Sequence, residues 1–444
     1  MVAVISRLLL PGFTSHIIVV LTLVVPVMIL GETSLSFLGL GLRSPAVNWV
    51  VMLQDRMKIE AVANIHWMLF PLSLIVITVL CFNLSATACA MLPILMPRDE
   101  RSDMEAVAEN VLEIEDLRVS FYTEEGEVRA VDGVSFSIPR GSIVGLVGES
   151  GCGKSVTSYS VLRLIQRPGE IKGGSIRFNP QGGGSVDITA LDEQDDALYQ
   201  LRGGAISMIF QEPMTALSPV HTVGNQICEA IMLHVDADPE RAEEIAAEML
   251  EKVGIPNARS RLDQYPFEMS GGMRQRVVIA MALACAPEVL IADEPTTALD
   301  VTIQAQIIRL IKSLQRDLGT STLLITHDLG LVAQLVDHIA VMYLGRIVEQ
   351  GDVRTVMKAP RHPYTMGLLE SLPGLALDKE RLSSIKGSVP SLAERPPGCP
   401  FHPRCPHAEP GVCDRGDPPE LHQIGEARMV ACLRLEAIHG GPVQ

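Results

Sequence analysis

The chain has 444 residues, enough for about two to four domains, and its composition changes along its length. Its formal net charge is −16 and only 20% of its residues are charged, yet the first hundred residues hold few of those charges. The acidic remainder excludes a broad basic face for nucleic acid. The nine cysteines show no disulfide framework, so we expect a reducing compartment.

Two apolar stretches near the N-terminus predict membrane-spanning helices at about 13–30 and 67–96, because each approaches or exceeds the length that crosses a bilayer. Pro26 lies inside the first, which a packed membrane helix tolerates. Trp67 and Arg98 suit an interfacial anchor and a cytoplasmic flank of the second. A cleavable signal peptide and a pair of buried soluble helices are the alternatives.

The segment 31–53, between these stretches, resembles the C-terminal third of the permease subunit of dipeptide and oligopeptide importers of the ATP-binding cassette (ABC) superfamily. The resemblance covers about residues 8–97 and is most specific in the run Leu-Ser-Phe-Leu-Gly-Leu-Gly at 35–41. It implies a permease-like fragment over 1–97, followed by a charged linker at 98–110. Two helices cannot enclose a pathway, so the fragment is a working tether, a remnant or part of a longer fusion.

A glycine-rich loop follows the apolar run 143–147, which we interpret as a buried strand. The loop fits G-x-x-x-x-G-K-[ST], whose backbone N–H groups cradle phosphates at the start of a helix, here expected over 156–164. Lys154 would reach the β- and γ-phosphates, and the Ser155 hydroxyl would ligate Mg²⁺. A glycine-rich surface turn is the alternative. The candidate nucleotide-binding residues of this loop are Gly148, Glu149, Ser150, Gly151, Cys152, Gly153, Lys154, Ser155 and Val156.

A helical region is expected at about 212–285. Asp238 and Pro239 supply a cap and a first-turn proline for one of its helices, and Gly254 ends that helix. Ser270 caps a second helix, whose free N–H groups could hold a phosphate. Taken alone, Ser270 would be a plain N-cap before an apolar helix.

Two further apolar runs end in side chains that suit phosphate chemistry. Residues 289–292 lead to Asp293, which at the carboxyl edge of a parallel strand would reach Mg²⁺ through water. Glu294 is placed to act as a general base toward water. Residues 322–325 lead to His327; a lone histidine after a strand is usually structural, but the preceding motifs favour a functional role.

Together, the loop at 148–155, the signature Ser-Gly-Gly-Met at 270–273 and these strand ends closely resemble the ATPases of the ABC superfamily. The resemblance implies an α/β P-loop nucleoside-triphosphatase core over about 111–350, with a helical subdomain at about 212–285. It also implies Mg²⁺-dependent ATP hydrolysis by two cassettes closing around two ATP molecules.

The resemblance further implies roles for individual residues. The catalytic residues would be Glu294, His327 and Gln211, with Phe121 or Tyr122 against the adenine ring. The Mg²⁺ ligands would be Ser155, Gln211 and Asp293. Ser270, Gly271 and Gly272 would hold the γ-phosphate bound by the partner cassette, and Asp300 would lie in the loop through which the two cassettes sense each other.

The C-terminal part, 351–444, contains Pro-Arg-His-Pro-Tyr-Thr at 360–365 and a helix through Leu369, which resembles the extension of peptide-importer ATPases. Four cysteines follow without a Cys-x-x-Cys pair. Their chemistry alone suits zinc, an iron–sulfur cluster or free thiols. The sequence around 398–405 resembles tails that carry a [4Fe–4S] cluster, and zinc is the alternative. The four cysteines are Cys399, Cys405, Cys413 and Cys432.

The resemblance therefore predicts the ATP-hydrolysing subunit of a dipeptide or oligopeptide importer at the cytoplasmic membrane, with its ATPase domain on the cytoplasmic side. Its partners would be a second cassette, identical or paralogous, two permease subunits and a solute-binding protein outside the membrane. Nickel or another peptide-like solute is an alternative cargo. Rival classes are an exporter half-transporter, which needs more membrane spans, a soluble cassette of translation or DNA repair, and an assembly anchor whose ATPase serves only structure.

Overall fold

The structure is a computed structural model that describes residues 110–124, 126–211, 216–296, 301–371, 385–425 and 428–439, without the side chains of 301–302. Within those residues, no helix is both long and apolar enough to cross a membrane. The permease-like fragment, its two expected spans and most of the linker lie outside them.

Two β-sheets form the framework of the described part. The strands are β1 (Asn110–Thr123), β2 (Gly126–Pro139), β3 (Ile143–Val147), β4 (Gly169–Phe178), β5 (Val186–Asp187), β6 (Ile206–Ile209), β7 (Val289–Asp293), β8 (Ser321–Thr326), β9 (His338–Tyr343), β10 (Arg346–Asp352), β11 (His422–Gln423) and β12 (Arg428–Val430). One sheet is antiparallel with the order β2-β1-β4-β5, and the larger one has the order β11-β12-β10-β9-β3-β8-β7-β6.

The centre of the larger sheet is parallel, from β9 through β3, β8 and β7 to β6. Every residue of β3, β7 and β8 is buried, which is typical of parallel strands covered on both faces. The sequence prediction for these three strands is confirmed, since each strand begins and ends within one residue of the expected position. Because their carboxyl ends lie at one edge of the sheet, the loops that follow them converge there.

Helices surround this sheet. They are α1 (Lys154–Val161), α2 (Asp196–Leu201), α3 (Val223–His234), α4 (Pro239–Lys252), α5 (Ala258–Leu262), α6 (Gly271–Leu283), α7 (Val301–Leu318), α8 (Leu329–Leu335), α9 (Val353–Lys358), α10 (Pro363–Glu370) and α11 (Leu435–His439). Helix α1 is shifted from the expected 156–164, because it begins directly at Lys154 and the chain turns left-handed at Arg163 (φ 53°).

The expected helical region is present as α3 to α6. Asp238 accepts a hydrogen bond from the Arg241 N–H at 2.8 Å, with proline in the first turn of α4, as the sequence predicts. Ile227, Leu250 and Val277 from three of these helices are fully buried in one core. The acidic face of α4 is exposed, which agrees with a solvated surface.

The C-terminal part is more tightly joined to the core than a separate tail would be. Strand β12 pairs with β10 and therefore extends the larger sheet. Glu349 of β10 is fully buried and accepts hydrogen bonds from the Arg361 and His362 N–H groups and from the Arg428 guanidinium. The division at residue 350 that we drew from the sequence consequently crosses a continuous strand.

Candidate functional site

The phosphate loop between β3 and α1 depends on glycine at two points. A Cβ on Gly148 would collide with the Met342 carbonyl oxygen, and one on Gly153, where φ is 106°, would collide with the Ala130 carbonyl oxygen. These close approaches explain the glycines of the motif. They hold the loop against β2 and β9.

Lys154 lies inside this loop and is only 5% exposed. Its ammonium donates hydrogen bonds to the carbonyl oxygens of Gly148 at 2.9 Å and Glu149 at 3.0 Å. Cys152 is fully buried, with its sulfur 3.8 Å from the ammonium, and burial raises the pKa of its thiol. Cys152 is therefore a neutral, enclosed side chain of the loop.

Asp293, the last residue of β7, is fully buried, and neither carboxylate oxygen has a hydrogen bond of normal geometry. Burial raises the pKa of its carboxyl, neighbouring Glu294 raises it further, and Ser155 and Lys154 oppose the rise. Ser155 lies in the first turn of α1, and this helix contacts β7. A buried carboxylate without a partner, beside a serine hydroxyl, fits a hard cation such as Mg²⁺.

Glu294 is held by groups from two neighbouring strand ends. His327 Nδ1, which follows β8, lies 3.1 Å from its Oε1, and Gln211 Nε2, which follows β6, donates to its Oε2 at 3.3 Å. The Glu294 backbone adopts a left-handed conformation with φ 45°, and its N–H donates to the Ile325 carbonyl oxygen at 2.9 Å. This strained turn aims a 12%-exposed carboxylate at the sheet edge.

Ser270 caps α6, as predicted, because its Oγ accepts from the Met273 N–H at 3.4 Å. Ser270 is exposed, and Gly271 and Gly272 form the first turn. Inside the same helix, the Gln275 side-chain amide donates to the carbonyl oxygen of Pro295, the residue after Glu294. The signature helix is thereby fixed to the loop that carries the candidate base.

The two candidate adenine-stacking rings differ in their surroundings. Phe121 is half-buried beside Gly169 in the core of the antiparallel sheet. Tyr122 is 46% exposed, and the Lys172 ammonium lies 4.6 Å from its ring centroid. Tyr122 is the ring with a face available for stacking.

The structure thus gathers most of the predicted site at one edge of the larger sheet. Ser150 and Gly151 form the exposed tip of the phosphate loop, whereas half-buried Val156 packs behind it. Gln211 bonds to Glu294 in this conformation. Asp300 lies outside the described residues.

The four C-terminal cysteines form a second group of polar side chains. The Cys399 N–H donates to the Cys413 carbonyl oxygen at 2.9 Å, and burial together with neighbouring cysteines raises the pKa of the Cys399, Cys405 and Cys432 thiols. Burial raises the pKa of the Cys399 thiol to about 12. All four are free thiols in this structure.

These thiols are the residues at which the sequence predicts a metal site. In the part of the chain that the structure describes, no group of three or more His, Cys, Asp or Glu side chains is placed to hold a metal ion. A zinc ion would need four sulfurs about 2.3 Å from one point. The arrangement of the described residues therefore supports neither the [4Fe–4S] cluster that the sequence predicts nor zinc.

Sequence reasoning missed two residues that touch the phosphate loop and a third that packs behind them. Arg404 and Tyr364, from the C-terminal part, both contact Glu149, and Tyr343 packs against them. The motifs at 360–365 and around Cys405 drew attention to these segments, but nothing in either local pattern indicates the contact of Arg404 with a residue 255 positions away.

The chain is similar to known proteins over most of its described part. The family description "ABC transporter" matches residues 131–297, and "Oligopeptide/dipeptide transporter, C-terminal region" matches 348–413. A putative peptide import ATP-binding protein of Brucella abortus is 50% identical over 335 residues, which cover 74% of this chain and 98% of that protein. The dipeptide transport ATP-binding protein DppD of Escherichia coli is 48% identical over 322 residues, covering 72% and 96% respectively.

Among solved structures, a dimeric bacterial ABC transporter cassette superposes with a TM-score of 0.48 and 26% identity, covering 55% of this chain and 99% of that one. The fold, the nucleotide site and these relatives define an ATP-hydrolysing cassette of the ABC transporter class. Within that class, the chain belongs to the family of peptide-importer ATP-binding proteins.

Proposed function

We propose that this chain hydrolyses ATP to drive the uptake of a dipeptide or oligopeptide through a membrane transporter. The observation that carries the proposal is the position of Glu294 between His327 and Gln211. All three lie at the sheet edge from which the phosphate loop with Lys154 also starts. The match of residues 348–413 to the oligopeptide and dipeptide transporter region supports the class of cargo. Nickel or another peptide-like solute is the second candidate cargo.

The phosphates of ATP would bind to the backbone N–H groups of the phosphate loop and to the Lys154 ammonium. To reach a phosphate, Lys154 would exchange its hydrogen bonds to the loop carbonyls of Gly148 and Glu149 for phosphate oxygens. Asp293 and Ser155, with Gln211 after a shift of its amide, would hold Mg²⁺. When bound, Mg²⁺ would neutralise charge on the β- and γ-phosphate oxygens.

Glu294 would accept the proton from the attacking water as that water forms its bond to the γ-phosphorus. The bond from the γ-phosphorus to the bridging oxygen breaks, and ADP leaves in line with the attack. His327 would orient the Glu294 carboxylate and contact the γ-phosphate, while Gln211 would position the water. Tyr122, or alternatively Phe121, would stack on adenine.

A complete site would need a second cassette. The first turn of α6, with exposed Ser270 and half-buried Gly271 and Gly272, would bind the γ-phosphate held by the partner's phosphate loop. Asp300 would contribute to the contact between cassettes. The partners would be this second cassette, two permease subunits and a solute-binding protein, with the ATPase on the cytoplasmic side of the membrane.

Two finer proposals concern the ends of the chain. The fragment 1–97 would be a permease-like membrane anchor with spans at about 13–30 and 67–96, supported by its resemblance to importer permeases. A full-length chain that leaves membranes in an alkaline carbonate wash would contradict this. The four C-terminal thiols would hold a [4Fe–4S] cluster that ties their segment together, supported by the resemblance of the sequence around 398–405 to tails that carry such a cluster.

Substitution of the candidate base tests the central proposal. In the assembled transporter, Glu294→Gln should reduce ATP turnover by about 10²- to 10⁴-fold, because the amide cannot accept the proton. Binding of Mg²⁺-ATP should persist. The matched control is Glu243→Gln on the exposed face of α4, which should retain wild-type turnover. Undiminished turnover in Glu294→Gln, or no Mg²⁺-ATP binding by the wild type, would refute the function.

Peptide cargo is tested separately by uptake of a labelled dipeptide into vesicles that carry the assembled transporter. Uptake that requires ATP and is lost in Glu294→Gln supports the proposal. ATP-dependent uptake of nickel without uptake of the dipeptide would replace the peptide cargo by the second candidate.

A further inference from the structure

Glu149, the second residue of the phosphate loop, is held from two sides by the C-terminal part of the chain. Its backbone N–H donates to the Tyr364 hydroxyl at 2.9 Å. Its carboxylate accepts hydrogen bonds from both terminal nitrogens of Arg404: Nη1 donates to Oε2 at 2.6 Å and Nη2 to Oε1 at 3.0 Å. This paired geometry fixes the orientation of both groups.

The Arg404 side chain is also held in place by contacts other than the one with Glu149. Its side chain is 4% exposed, lies over the Tyr343 ring, and donates through Nε to the Lys386 carbonyl oxygen at 3.3 Å. Tyr343 and Tyr364 are fully buried and pack against each other and against Phe401. Since Tyr343 ends β9, which pairs with β3, the guanidinium rests on the sheet that carries the loop.

These contacts determine how the loop can present its hydrogen-bond donors. The Glu149 N–H is directed to Tyr364 and so is withheld from the phosphates. The Glu149 carbonyl oxygen accepts from Lys154, so the residue that the C-terminal part holds also contacts the phosphate-binding lysine. Release of the Glu149 carboxylate would therefore alter the path of the loop at the base of Lys154.

A purely structural role for this ion pair is the weaker explanation. Burying an Arg–carboxylate pair contributes little net stability compared with apolar packing, because both charges lose water. The aromatic residues around Arg404 could fill this space without a charge. The pair instead places a strong, directional contact on one residue of the nucleotide loop.

We propose that Arg404 and Tyr364 are positioning residues for nucleotide binding, which hold the phosphate loop in its binding conformation through Glu149. The proposal rests on the assignment of that loop to ATP. The cysteine-containing segment, of which Arg404 is part, thereby contributes to the affinity of a site more than 200 positions earlier in the sequence.

The test measures the dissociation constant of Mg²⁺-ATP for the full-length protein in its assembled transporter, by displacement of a fluorescent ATP analogue. Arg404→Met removes the charge and keeps most of the side-chain volume. It should raise the dissociation constant roughly tenfold, within the range of coupling between contacting residues. Arg404→Lys should restore part of the affinity, because it keeps the charge without the paired geometry.

A double-mutant cycle identifies Glu149 as the link. Glu149→Gln alone should also weaken binding, and the double variant with Arg404→Met should be weakened less than the product of the single effects. Tyr364→Phe keeps the aromatic packing and removes only the hydrogen bond, so it tests the proposal even if the Arg404 variants fold poorly. It should raise the dissociation constant about threefold.

The matched control is Arg395→Met, since Arg395 also anchors the C-terminal part to the core, but through Asp132 at 2.7 Å. Its dissociation constant for Mg²⁺-ATP should stay within about twofold of the wild-type value. In ATPase assays, Arg404→Met should raise KM for ATP and leave kcat near wild type, a split that general unfolding would not produce.

Unchanged ATP affinity in both Arg404→Met and Tyr364→Phe would overturn the proposal, as would an equal loss of affinity in Arg395→Met. Absence of Mg²⁺-ATP binding by the wild type would instead refute the proposed function. The two failures are therefore distinguishable.

Discussion

His327 Nδ1 lies 3.1 Å from Oε1 of Glu294, although the two residues follow different strands. The pairing arises because β7 and β8 are parallel neighbours, with Asp293 opposite Ile325. The histidine side chain is 63% exposed and the carboxylate 12% exposed, so the imidazole covers the solvent side of the carboxylate. This contact predicts how loss of the histidine would affect catalysis.

His327→Gln should lower kcat for ATP hydrolysis by roughly 100-fold while KM changes little, because it removes orientation of the base in the transition state. The measurement is steady-state phosphate release by the assembled transporter. His221→Gln, an exposed histidine ahead of α3, is the matched control. A large rise in KM with unchanged kcat would show that His327 serves nucleotide binding instead.

Asp293→Asn should raise the thermal unfolding midpoint when Mg²⁺ and nucleotide are absent, by about 2–4 °C for each kcal/mol gained. Burial raises the carboxyl pKa in the folded state above its ordinary 3.8, so ionisation opposes folding. The stability linked to the bound proton is present below the unfolded pKa and is lost as the pH rises through the folded pKa. The neutral amide removes this loss at pH 7.

With Mg²⁺-ATP bound, the wild type should have a higher unfolding midpoint than Asp293→Asn, because only the wild type keeps the carboxylate that suits the cation. Calorimetry with and without Mg²⁺-ATP measures both effects. If Asp293→Asn lowers the midpoint without Mg²⁺, the buried carboxylate has a partner that compensates its charge, contrary to the geometry.

His362→Asn should make the protein less sensitive to acid. His362 is buried, its Nδ1 accepts from the Tyr364 N–H at 3.1 Å, and burial lowers its pKa from 6.5 to about 3. The unfolded chain binds this proton below pH 6.5 and the folded chain does not, so stability falls as the pH drops from 6.5 toward 3. Asparagine offers a side-chain oxygen as the capping acceptor in place of Nδ1 and does not titrate in this range.

The measurement is the difference between unfolding midpoints at pH 7 and pH 5, which should be smaller in His362→Asn than in the wild type. His338→Asn, at the start of β9, serves as a comparison because that side chain is only half-buried. Equal acid sensitivity in wild type and His362→Asn would contradict the lowered pKa.

Cys405→Ser should remove iron and acid-labile sulfide from anaerobically purified protein and should speed proteolysis within 385–439. Without one of its four thiolate ligands, the proposed cluster would no longer connect the chain segments that carry Cys399, Cys413 and Cys432. Cys285→Ser, outside this group, should retain both iron and protease resistance. Stoichiometric zinc without iron in the wild type would favour the alternative metal, and unchanged proteolysis would exclude a structural role for the group.

Features that depend on neighbouring residues in the chain could be predicted from the sequence. The buried strand before the phosphate loop, the Ser270 cap and the acidic end of β7 each depend on neighbouring residues, and the structure has all three. Parallel-strand geometry also predicts that Glu294 and His327 lie at one sheet edge, because carboxyl ends align there.

Other features depend on contacts that no local pattern records. The Arg404–Glu149 pair joins residues 255 positions apart, and each looks like an ordinary surface charge in its own segment. Strand β12 has only three residues, too few for an alternating pattern to identify. The hydrogen bond from Gln211 to Glu294 depends on side-chain rotation, which the strand end alone does not determine.

The pairing of β12 with β10 has a consequence for synthesis on the ribosome. Residues 428–430 are needed to cover the edge of β10, and Arg428 is needed to neutralise the buried Glu349 carboxylate. Until residues 428–430 have emerged, the larger sheet ends in an unpaired strand beside an uncompensated charge. A premature stop ahead of codon 428 would therefore yield a product prone to aggregation and degradation, even though every ATP-site motif had already been translated.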